Sequence, residues 1–276
     1  MKNYVFVVLM LGFSGCGKIS ENKDGQSEIK SIRYDLDKRF LMERPKAIDD
    51  GKFFDKEGKR MLYGGERESQ HFDITDHSLK EDQYHYGIGR EHFPALLDPE
   101  FISVEEADLI WADTSRFLLA YTDKEAKAYS VEDMTRHEIV NDFLNGKPIM
   151  AAYCILADLG GVFEREYAGE VLNFALSGYT YFDDEVWDGF DGFILWDRET
   201  ESLWWPLIGK AVSGPLKDVN LIELDKNNWV DTNWVYVKKN FPNAMVLKSD
   251  QDFDRPEEWR TIEDVSMIRK NFILDD

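Results

Sequence analysis

The chain has 276 residues, 43% of them hydrophobic and 14% aromatic, enough apolar side chain for one sizeable core. Its 33 basic against 54 acidic residues leave a formal charge of -21, which repels a phosphate backbone over most of the surface and excludes nucleic acid as a partner. Such a surface serves solubility and, more rarely, binds cations or basic partners.

The opening MKNYVFVVLMLGFSGC carries a lysine at position 2 and an apolar run from Tyr4 to Phe13. The run falls below the roughly 20 apolar residues that span a bilayer and suits the h-region of a secretory signal. Phe13-Ser14-Gly15-Cys16 resembles a bacterial lipoprotein cleavage box. This implies a signal peptide over 1–15, lipid on Cys16, and a place in the cell envelope with the membrane as partner. GFSGCGKI nearly matches a phosphate-binding loop, but Ile19 stands where a hydroxyl must reach magnesium, so that motif is rejected. With Cys16 lipidated, Cys154 is the only thiol of the mature chain and no internal disulfide can form.

Residues 16–60 are highly charged and read as a tether, with one domain over 61–276. His71, His77, His85 and His92 fit no single helix face or strand alternation and read as loop and turn histidines. Ser103-Val104-Glu105-Glu106 is a capping box that opens a short helix. RFLLAYTDKEAKAYS predicts a hairpin about Asp123-Lys124, VFEREYAGEVLNFAL a second about Ala168-Gly169, and GFILWDRETESLWWPL a third. Val230, Trp234, Val237 and Phe241 recur at helical spacing before Pro242, and a terminal helix is expected from Pro256. The fold class is mainly β (α+β): antiparallel hairpins in a sandwich or partly closed barrel, with a few peripheral helices.

The most specific local prediction concerns HEIVNDFLNGKPIMAAYC. Asn-Gly is the preferred two-residue turn because both positions take positive φ. Turning at Asn145-Gly146, paired strands have partner numbers summing to 291, and Phe143/Pro148 falls at a non-hydrogen-bonded site where proline costs nothing. His137 and Cys154 are then expected opposite one another, with Ile139, Asn141, Phe143, Pro148, Met150 and Ala152 on their face and Glu138, Val140, Asp142 and Tyr153 on the other. An imidazole beside a thiol can generate a thiolate nucleophile or bind a soft metal such as copper. The alternative is a small buried hydrophobe beside a satisfied histidine. HEIVN also approaches the zincin helix motif, but Asn141 replaces its second histidine.

RHEIVND, AYCIL, NFALSG, LWDRETESLW and GKAVSGPL, with FPALLDPEFISVEEAD upstream, together resemble the bacterial domain-of-unknown-function family 3179, over about 93–247. The resemblance implies an envelope or secreted protein with no established activity. It places the family's His and first Cys on His137 and Cys154, and its Asp-Arg-x-Thr run on Asp197, Arg198 and Thr200. The family's second cysteine is replaced by Ala157, so dithiol chemistry within one molecule is excluded. Asp142, Ser177, Asp197 and Arg198 are second-tier site candidates.

YFDDEVWDGFDGF adds Asp183, Asp184, Glu185, Asp188 and Asp191, an oxygen-rich stretch that either binds calcium or is a solvated loop. Trp196, Trp204, Trp205 and Tyr181 line either a glycan or peptide groove or the core. Two functions follow: a single-thiol redox or copper-handling site at His137/Cys154, or a non-catalytic surface module that binds calcium, a glycan or a protein; which protein or small molecule is the partner stays open. A scaffold whose site has decayed is the bland third.

Overall fold

The structure, a computed structural model, describes residues 49–251 and 259–273. The leader, Cys16, the tether up to residue 48 and Pro256 lie outside the described residues.

Among the described residues strands dominate, in stacked antiparallel and mixed sheets with no closed barrel, consistent with the expected sandwich. At the centre is a four-stranded sheet of Leu159–Glu164, Lys147–Cys154, Ile139–Leu144 and Leu96–Leu97, the last of these parallel to its neighbour. Its two inner strands are buried on both faces except near their turn. Ile139, Met150, Ala152 and Cys154 pack into the larger core against a six-stranded sheet that includes Phe174–Tyr181, Gly192–Asp197 and Leu203–Trp205. Val140, Ile149, Ala151 and Tyr153 pack oppositely, against Leu118, Ala120 and Tyr129 of a five-stranded sheet. That sheet's far side holds Phe117, Leu119 and Ala128, covered by the helices Val104–Ala107 and Trp234–Asn240. Alternation along one hairpin thus feeds two different cores, which is why both of its faces are apolar.

Turn chemistry positions these strands. Asn145 and Gly146 adopt φ of 48° and 79°, and the ladder runs from Leu144↔Lys147 through Phe143↔Pro148 to Ile139↔Ala152, the expected register. The hairpins about Asp123-Lys124 and Ala168-Gly169 and the third at Gly192–Asp197/Leu203–Trp205 form as read. Ser103 caps its helix, accepting from the Glu106 amide.

Three local expectations differ. Strand pairing is present ahead of Met61: Phe53–Lys56 and Lys59–Leu62 form a hairpin, and Asp49–Asp50, where the described residues begin, joins the six-stranded sheet through Tyr84–Tyr86. Val230 lies in the strand Trp229–Asn233, and helix starts only at Trp234, where Asn233 accepts the Tyr236 amide. His137 ends a helix, Val131–His137, instead of starting a strand. Ser130 caps that helix by accepting the Asp133 amide, and Glu138 at φ 57° reverses the chain into the strand. Among the described residues no helix is long and apolar enough to cross a membrane.

Candidate functional site

Glu138 is the electrostatic neighbour found beside the Cys154 thiol. The antiparallel pattern continues past Ile139 with the Tyr153 N–H donating to Glu138 O at 2.8 Å, then stops because His137 is helical. The His137 ring is held by Nδ1 at 2.8 Å from Pro94 O and lines a cleft of about 320 Å³ with Arg136, Asp133 and Lys248. The cross-strand His137/Cys154 pair of the sequence reading is therefore replaced by a Glu138 backbone reversal.

Cys154 is 2% exposed, and its thiol contacts the Asp191 carbonyl at 3.9 Å. Burial, then the Glu138 carboxylate, push it up to about 12, outweighing the amides of Ala157, Phe193 and Leu156. A thiol so placed stays protonated at neutral pH and is a poor nucleophile. Glu138 is itself pushed up to about 7 by burial, against a 3.5 Å hydrogen bond from the Ile155 amide.

Most second-tier candidates hold strands together. Asp142 accepts from Lys127 Nζ at 2.8 and 3.0 Å and from Tyr129 Oη at 2.8 Å, all buried. Ser177 donates to Ile194 O and accepts the Tyr179 amide at the irregular register of the strand Phe174–Tyr181. Asp197 accepts from the Thr200 amide and hydroxyl and from Trp204 Nε1, fixing the 197–202 turn; burial pushes it up to about 7 despite those donors.

The five acidic residues do not converge. Asp184, Glu185 and Asp188 are exposed. Asp183 accepts the Glu185 amide. Asp191 is buried, with Oδ2 at 2.5 Å from His85 Nδ1 and 3.0 Å from Thr180 Oγ1. Among the described residues no group of three or more His, Cys, Asp or Glu side chains is arranged to hold a metal, the histidines from 71 to 92 included. His85 lies in a strand rather than a loop. Trp196, Trp204, Trp205 and Tyr181 are all core, so they line no groove.

A second cleft, of about 580 Å³, gathers residues that sequence reasoning passed over. Arg165 lies at its wall, 2% exposed. Its Nε donates to Ile149 O at 2.7 Å, Nη1 to Leu172 O and Asn173 Oδ1 at 2.8 and 2.9 Å, and Nη2 to Asp142 O at 2.9 Å. Every one of these acceptors is uncharged. Burial lowers Arg165 to about 10, against the attraction of Asp142, Glu199 and Asp98. Asn141 also lines the cleft, clipping the four-stranded sheet to the six-stranded one by accepting the Phe174 amide and donating to Phe174 O. Glu199 accepts from the Asn173 amide and Nδ2, both at 2.7 Å, and burial raises its carboxyl.

Trp259 closes one side, its ring 3.7 Å from the Arg198 guanidinium. Arg198 is thereby placed: Nε donates to Glu91 at 2.6 Å, while Nη1 is buried with no hydrogen-bond partner. Arg165 falls within the stretch that predicts the hairpin about Ala168-Gly169 and Trp259 within the expected terminal helix, and neither is singled out there. Their one signal is a large residue in an otherwise polar stretch.

No curated protein and no solved structure matches the chain. Residues 90–262 match the model of a family described as a protein of unknown function, DUF3179. That span covers more than half of the 276 residues and every wall of the second cleft, from Leu97 to Arg260, so the chain belongs to the DUF3179 family.

Proposed function

We propose that the protein is a non-catalytic binding module of the bacterial cell envelope, tethered by lipid on Cys16 and holding a small polar ligand in the Arg165–Trp259 cleft. The observation that carries this reading is the state of Arg165. A guanidinium has five N–H donors; four of the Arg165 hydrogen bonds go to neutral oxygens, leaving one Nη2 N–H uncommitted at the wall of the cleft. Burying a cation without a hydrogen-bonded carboxylate is costly, and a cleft of several hundred Å³ with a few fixed polar groups is where small ligands bind.

The redox or copper alternative draws less support, because its thiol is buried and held protonated. Calcium draws less still, with the acidic side chains splayed between solvent and core.

Two measurements test the proposal. Cys16→Ala should move the chain from the membrane fraction to the soluble fraction after lysis; retention on membranes removes the anchor. Ligand-observed NMR against a library of small polar metabolites should give hits that compete with one another and weaken in Arg260→Glu, which reverses a charge at the cleft. A library with no such hits reduces the protein to a scaffold.

A further inference from the structure

Resting on the cleft being a binding site, we infer that its ligand is an uncharged, hydroxyl-rich molecule: a neutral saccharide of about one or two rings, the size that a cleft of this volume encloses.

Charge is the first argument. Arg165 and Arg260 share the lining with Asp98, Glu170 and Glu199, so opposite signs are interleaved and neither an anion nor a cation finds a consistent field. The -21 charge of the whole chain adds a penalty for an approaching anion. A hydroxyl group is indifferent to this field, since it donates once and accepts twice. The groups with capacity to spare are single ones, the uncommitted Arg165 N–H and the lone pairs that the Glu199 carboxylate keeps beyond its two bonds from Asn173, and each can meet one hydroxyl of a sugar ring.

Shape is the second. Trp259 is half-buried, with the Arg198 guanidinium stacked at 3.7 Å. An aromatic ring braced in this way offers a flat apolar platform to the C–H face of a pyranose while polar groups take the ring's edge.

The third is rigidity. Arg165 is fixed by its four hydrogen bonds, Glu199 by its two bonds from Asn173, and the backbone after Trp259 by the Ile262 amide on Glu199 O at 2.9 Å. Little side-chain freedom is left to lose on binding, which favours weakly attractive polar ligands.

Saturation-transfer NMR on the full mature chain, with a panel of neutral mono- and disaccharides, glucuronate and glycylglycine, tests the inference. Neutral sugars should show transfer concentrated on ring C–H protons. Affinity should fall about tenfold in Trp259→Ala and largely return in Trp259→Phe, the size of effect expected for one stacking ring. Circular dichroism and the melting temperature should be unchanged in both variants, separating lost contact from lost fold. Preferential binding of glucuronate or glycylglycine that still depends on Trp259 overturns the saccharide while leaving the cleft as a site. Sugar binding indifferent to both variants overturns the inference, and no binding by any probe overturns it together with the proposed binding role.

Discussion

Replacing Glu138 with Gln should make the protein more stable at alkaline pH and nearly neutral in effect at acid pH. Glu138 sits at the αL turn between helix and strand, 8% exposed, its backbone engaged with Met134 O and the Tyr153 amide. Its side chain accepts one long bond, from Ile155, and burial raises the carboxyl from an ordinary 4.5 to about 7. The native state therefore holds the proton more tightly than the unfolded chain does. The associated stability is complete below pH 4.5 and is lost as pH rises through 7. The gap between 4.5 and about 7 corresponds to about 3 kcal/mol at full ionisation. Gln keeps the acceptor for Ile155 and cannot ionise, so it should recover about 1–3 kcal/mol at pH 8.5, the lower end allowing for its extra buried N–H. Urea unfolding of both proteins at pH 5, 6, 7 and 8.5 measures the difference directly. Asp197, also raised to about 7, contributes equally to both proteins and cancels. A stability difference that stays flat across this range would refute the reasoning.

The Cys154 thiol should resist iodoacetamide at pH 8 for as long as the protein stays folded and react promptly in urea, because it is buried and protonated. Alkylation within minutes under native conditions would reverse that assignment. Asp142→Ala should cost about 3–5 kcal/mol in urea melts by stranding the Lys127 ammonium, whereas Lys127→Met with Asp142→Leu should restore most of the loss; an equally unstable double variant would show that the pair is not the cause. Gly178→Ala should cost at least about 2 kcal/mol, because φ is +84° and the new Cβ would lie 2.2 Å from the Gly89 carbonyl. An unchanged melting temperature in that variant would mean that the strand at Gly178 and the loop at Gly89 are not in contact.

How much of this was legible depended on how local the cause was. Asn145-Gly146 could be read because positive φ at two successive positions is a demand of the turn alone, and the register then followed by addition. Glu57-Gly58, at φ 52° and 79°, makes the same kind of turn inside FFDKEGKRML, yet the surrounding charge made the segment read as tether. His137 was misplaced because a seven-residue helix gives too few turns for its periodicity to stand out against a strand. The better signal was Ser130 three residues ahead of Asp133, with acids in the first turn and Arg136 and His137 in the last. The second cleft had no local signature, since its walls come from Asn141, Arg165, Glu199 and Trp259, brought together only by tertiary packing.

The strand Ile139–Leu144 explains why residues that look chemical in the sequence are mostly structural. The Glu138 side chain ahead of it accepts the Ile155 amide, Asn141 clips the adjacent sheet, and the Asp142 side chain neutralises Lys127 while its carbonyl anchors Arg165. A strand buried on both faces leaves its polar side chains no water, so each must be satisfied by protein, and satisfied groups have little capacity left for a ligand. Capacity remains at the margin, where Arg165 keeps an N–H and Trp259 stays half-buried against a cleft. The motifs that carry the family resemblance in sequence therefore build the platform, and the hydrogen-bonding capacity that is left lies with less conspicuous side chains at its margin.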